Sequence, residues 1–98
     1  MIQTQEKYYN QLKKNLLDFF SNKKNVKIFL FGSSIRENKF GDIDVGIMGE
    51  VKEMDVRKLK EYFEESTFPF LVDIINFNNV DEPFKQNVLS NQITWIKP

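Results

Sequence analysis

Two strand-like runs, Val26–Phe31 and Asp42–Met48, are separated only by the stretch from Gly32 to Gly41. A parallel pair needs a crossover of about a dozen residues or more, so this short connection favours an antiparallel pair. The first run is apolar on both alternating sets from Ile28 onward, as expected for a central strand covered on both faces. The second alternates, with Ile43, Val45 and Ile47 on one face and Asp42, Asp44 and Gly46 on the other. Any fold for this chain must bury the first set while giving two aspartates somewhere to go.

The flanking segments supply the other layers. Tyr8, Tyr9, Leu12, Leu16, Phe19 and Phe20 form one apolar stripe at helical spacing, ending near "SNKKN". Such a stripe is expected to face the core. Val56, Leu59, Tyr62 and Phe63 mark a second amphipathic helix from about Met54 to Ser66. "FPFLVDIINF" reads as a third strand with a lone Asp73 inside it. "DEPFKQNVLSNQ" starts a short helix, with Asp81 as N-cap and Pro83 in the first turn. "ITWIK" closes as a short strand or extended tail, its Trp95 serving either the core or a partner contact. The second helix can act as a parallel crossover, so an α/β fold with a mixed sheet flanked by helices is expected, as one domain over residues 1–98.

Composition restricts the chemistry. The 98 residues include no cysteine and no histidine, which excludes disulfides, thiolate metal sites and the usual general base near neutral pH. Acid–base or metal chemistry must therefore rest on carboxylates, which prefer hard cations such as magnesium. Lys+Arg and Asp+Glu balance at 14 each, so no net field favours nucleic acid or an anionic membrane. "MIQTQEKYYN" lacks the apolar core of a signal peptide, and no run approaches membrane-spanning length. A cytoplasmic protein is the default expectation.

On a strand, Asp42 and Asp44 would project from the same face, roughly 6.6 Å apart along it. Unpaired, two such charges raise one pKa and destabilise the strand; a bound cation relieves both. A sheet-edge strand with both aspartates facing water is the plain alternative, and the aliphatic company argues against it. Asp73, amid "FLVDIINF", is costly to bury without a partner. If its strand adjoins the other, three carboxylates meet, the arrangement that two-metal phosphoryl or nucleotidyl transfer requires. Gly32-Ser33 follows the first strand, where a glycine lets backbone approach a ligand and the turn offers amide N–H groups to phosphate. Arg36 and Lys39 are the nearest cations that could pair with a triphosphate.

"FLFGSS…GDIDVGI", followed by "LVDIINF", resembles the minimal nucleotidyltransferases of the DNA polymerase β superfamily. That family carries a Gly-Ser turn after the first strand, an Asp-x-Asp on the second and a third Asp on a later strand. The likeness covers about Val26 to Phe77 and implies the polymerase β-like nucleotidyltransferase fold. It further implies that Gly32 and Ser33 hold a nucleoside triphosphate and that Asp42 and Asp44 bind magnesium. Asp73 would complete the metal site or act as base toward the acceptor hydroxyl. Family members commonly carry a second glycine shortly after the Gly-Ser pair; here the segment reads Ser34-Ile35-Arg36-Glu37.

Small members of the MNT type often accompany a helical HEPN partner as the antitoxin of a toxin–antitoxin pair, and some transfer AMP from ATP onto it. Two functions are therefore expected to compete: an active magnesium-dependent nucleotidyltransferase, and a binding module that neutralises its partner by contact alone. Nucleic-acid binding is disfavoured by the neutral charge and the core-like spacing of the aromatics. A homo-oligomer is left open.

Overall fold

A computed structural model describes residues 3–32 and 41–98, with side chains from residue 6 onward. Seven elements follow in the expected order: α1 (Gln3–Phe19), β1 (Val26–Phe31), β2 (Ile43–Gly49), α2 (Glu53–Glu65), β3 (Val72–Asn76), α3 (Glu82–Leu89) and β4 (Thr94–Lys97). The four strands form one sheet in the order β3-β2-β1-β4. β1 pairs antiparallel with both β2 and β4, while β2 and β3 are parallel across the α2 crossover. This is the expected mixed α/β sheet flanked by helices.

Strand alternation divides the apolar residues between two faces. Ile28, Leu30, Ile43, Val45, Ile47, Ile74 and Ile96 join Leu12, Leu16 and Phe20 of the first helical stripe, and Val56, Leu59 and Phe63 of α2, in the larger core. Tyr8, Tyr9 and Phe19 pack against that core from its margin, as their stripe anticipates. The opposite face carries a smaller cluster of Phe29, Phe31, Phe77 and Val88, the last from α3. Trp95 belongs to this second face: its ring lies 5.2 Å from that of Phe29, yet the residue remains 41% exposed.

Two boundaries differ from expectation. β2 begins at Ile43, leaving Asp42 in the bend before it, because the ladder opens with the Ile43 N–H donating to the Leu71 carbonyl at 2.8 Å. The third strand is half the length of "FPFLVDIINF". Pro69 has no N–H to donate, and Phe68 and Phe70 turn instead into an edge-on aromatic group with Tyr8, to which Phe63 adds through Phe68.

Both later helices start on a carboxylate. The Asp81 side chain accepts from the Phe84 N–H, with Pro83 in the first turn. At α2 the Lys52 N–H donates to Asp55 Oδ2 at 3.0 Å, and Lys23 Nζ stands 3.5 Å from the same oxygen. The backbone donor, and then the Lys23 charge, hold the Asp55 carboxyl below its ordinary value. A lowered folded pKa means stability that is present above the unfolded value of about 3.9 and lost as pH falls through the folded one. Asp55→Ala should therefore cost roughly 0.5–1 kcal/mol at pH 7, with the gap from wild type closing at acid pH in urea titrations.

Candidate active site

The site is built on the second face, at the end of the sheet where β1 stops and β2 and β3 begin. Cross-strand register places Phe31, Asp44 and Asp73 in one row, so the two carboxylates stand side by side on adjacent strands. Neighbouring strands lie about 4.8 Å apart, which brings the pair within strong mutual repulsion. Asp44 is half-buried and Asp73 exposed. Among the described residues, no cation pairs with Asp42, Asp44 or Asp73.

The environment of Asp44 follows from that arrangement. Burial first, then the charges of Asp73 and Asp42, push its carboxyl above the ordinary value. Gly32, directly after β1, has φ +87° and lies hard against this carboxylate. A Cβ at Gly32 would sit 2.2 Å from Asp44 Oδ2, and a side chain there would also be strained in the left-handed region. The glycine of the Gly-Ser pair is thus required by contact with the aspartate of the second strand, a long-range reason that local turn chemistry does not reveal.

Asp42 takes a different position from the one its spacing suggests. From the bend before β2 it joins Asp73 in lining a cavity of about 510 Å³ at the β3 edge, where Phe63, Phe68, Phe70 and Leu71 form much of the wall. Asp44 is not part of that lining. The three aspartates therefore flank the sheet end from two sides, Asp73 shared between them. Among the described residues, no group of three His, Cys, Asp or Glu side chains stands close enough to hold one ion. The donor set still suits a hard divalent cation: oxygen ligands only, two in one row, and an uncompensated repulsion that a cation would cancel. Ser33, Arg36 and Lys39 lie outside the described residues.

The aromatic cavity wall is what sequence patterning missed. Its signal was the Phe68-Pro69-Phe70 run immediately ahead of Asp73, which reads as strand when taken for composition alone.

Comparison with known proteins adds three findings. Residues 14–97 match the family model described as "Polymerase beta, Nucleotidyltransferase". No curated protein matches the sequence significantly. Among solved structures, a toxin–antitoxin with AMP-PNP is similar to the chain at TM-score 0.65 and 17% identity, over 86% of this chain and 71% of that one. A mutant of the MntA–HpeT toxin–antitoxin aligns at TM-score 0.65 and 16% identity, over 86% and 70% of the two chains. A complex of the tri-AMPylated Shewanella oneidensis HEPN toxin with MNT antitoxin aligns at TM-score 0.61 and 21% identity, over 88% and 70%. At these identities the structural likeness speaks for the fold.

Proposed function

Since the chain belongs to the polymerase beta nucleotidyltransferase family, we propose that it moves a nucleoside monophosphate, AMP from ATP, onto a hydroxyl of a protein partner. The carrying observation is the row that sets Asp44 beside Asp73, with Gly32 closed against Asp44. In this reading residues 1–98 act as one domain in the cytoplasm, and the partner is a helical HEPN-type toxin. The AMP-PNP complex and the AMPylated toxin among the structural neighbours support nucleotide and partner alike.

The roles of the three aspartates follow from their position around the sheet end. Asp42 and Asp44 would hold magnesium, with Asp73 beside Asp44 on the neighbouring strand. The metal supplies charge neutralisation for the triphosphate when bound. By sequence position alone, Gly32 and Ser33 would offer backbone to the phosphates, and Arg36 and Lys39 would offset their charge. The acceptor oxygen forms a bond to the α-phosphorus as the bond to the bridging oxygen breaks, and pyrophosphate leaves with that electron pair. The hydroxyl proton passes to the Asp73 carboxylate, which is exposed on the cavity side.

Metal removal tests the reading. With α-labelled ATP and a HEPN-type toxin as partner, label should enter the partner, stop on addition of EDTA and return with excess magnesium. Asp42→Asn should reduce the rate by about a hundredfold or more. Transfer indifferent to EDTA, or equal in Asp42→Asn, would sink it. A contact-only antitoxin is the second reading, favoured by the lack of a closed three-carboxylate group among the described residues. Neutralisation that survives Asp42→Asn and Asp44→Asn together would decide for it.

A further inference from the structure

We propose that the acceptor is an extended polypeptide segment that pairs with the free edge of β3, its hydroxyl side chain on the Asp73 face and its apolar neighbours in the aromatic cavity. The proposal rests on the transferase reading for the fate of the hydroxyl, and on the geometry of the β3 edge for the mode of binding.

β3 is the outermost strand of the sheet at this side among the described residues. Its register with β2 is fixed at both ends, by the Ile43 N–H to Leu71 carbonyl bond of 2.8 Å and the Phe77 N–H to Ile47 carbonyl bond of 2.7 Å. In a parallel ladder the same strand turns alternate residues toward its partner. Leu71, Asp73, Ile75 and Phe77 therefore face β2 with their backbone groups, and Val72, Ile74 and Asn76 present theirs outward. Val72 and Ile74 line the cavity of about 510 Å³ that also holds Asp42 and Asp73. The outward row is a template on which an added strand can hydrogen-bond.

Side-chain alternation then divides the guest. A residue of the added strand that shares the Asp73 face stands beside that carboxylate, at the ordinary cross-strand spacing of about 5 Å. Its neighbours turn to the other face, where Phe63, Phe68 and Phe70 offer an apolar wall, while Leu71, 73% exposed and two residues before Asp73, stands at the rim of the cavity. The charge of the lining selects the class of guest. Among the described residues Lys60 is the one cation in it, opposed by Glu64, Asp42 and Asp73. A nucleic-acid backbone needs a row of cations here; a neutral or basic polypeptide does not.

Two substitutions separate the edge from the cavity. Val72→Pro deletes an N–H that β2 does not use, a position at which edge strands tolerate proline. Leu71→Asp puts a charge on the exposed rim. Phage-displayed random dodecapeptides are selected on the full chain, and synthetic versions of the enriched peptides are titrated into it. The expected result is recovery of peptides carrying Ser, Thr or Tyr beside apolar residues, bound at least tenfold more weakly by each variant, with slowed hydrogen exchange at Ile74 and Asn76. Should Val72→Pro fail to fold, Leu71→Asp and the exchange pattern carry the test. Selection that returns no peptide weakened by either change overturns the proposal, as does an octa-adenylate RNA that perturbs these amides while peptides leave them still. Addition of magnesium–ATP reports the transferase reading separately, through the amides of Gly32 and Asp44. Peptide binding with those amides unmoved would sink the transferase reading and leave the groove standing.

Discussion

Asp44→Asn is expected to lower nucleotide transfer about a thousandfold while leaving the protein no less stable. The kinetic half rests on charge: on the proposed reading Asp44 would help hold the cation that neutralises the triphosphate, and losing that hold forfeits several kcal/mol, each 1.36 kcal/mol being tenfold in rate. The stability half rests on the raised carboxyl of Asp44, displaced by burial and then by Asp73 and Asp42. Between the ordinary aspartate value of about 3.9 and the raised folded one, the native state holds more protons than the unfolded chain. Stability therefore falls as pH rises through that window, and the penalty persists above it. Without added magnesium, Asp44→Asn should melt at or above the wild-type temperature at pH 7, with the difference vanishing near pH 3. Magnesium should raise the wild-type melting temperature and leave that of the variant nearly unchanged. A variant that melts lower at pH 7 would mean that Asp44 is a structural group.

Phe29→Ala should be the most destabilising single truncation on the second face, by about 3–5 kcal/mol. Phe29 is fully buried, and its ring packs against those of Phe31, Phe77 and Trp95. It also occupies the space above Gly46: a Cβ built there would lie 2.3 Å from the tip of the ring. Gly46→Val alone should cost about 1–3 kcal/mol through overpacking. Together the two changes should cost less than their sum, because the valine refills part of the space the ring vacates. Urea unfolding of the two single variants and the double variant measures the coupling. Strict additivity would mean that the ring moves aside for the valine without loss.

The same two positions explain what could be read from the chain and what could not. Strand alternation exposed the division of Ile43, Val45 and Ile47 from Asp44 and Gly46, since a period of two is a local property. The antiparallel start followed from a short connection, and the parallel β2–β3 pair from a helix able to cross over. That Gly46 exists to admit Phe29, and Gly32 to admit Asp44, is written in the register between strands and in no window of sequence. Spacing treated Asp42 and Asp44 as equivalent. In the fold one lies in a bend at the cavity and the other against Gly32, because the hydrogen-bond ladder opens at Ile43. The outer position of β3 is likewise a matter of strand order, which no single segment encodes.

The row that joins Asp44 to Asp73 spans β2 and β3, which the chain connects only through the whole of α2. If the row carries the proposed transfer, that chemistry is absent from a nascent chain until the crossover has docked, because the pairing is non-local. In the finished protein the same contact lies in an outer strand with neighbours on one side. Outer strands open at lower free energy than the sheet interior. On the proposed reading, heat, denaturant or a protease would thus silence the transfer before the β1–β2 hairpin lets go, and recovery needs only the redocking of five residues, Val72 to Asn76.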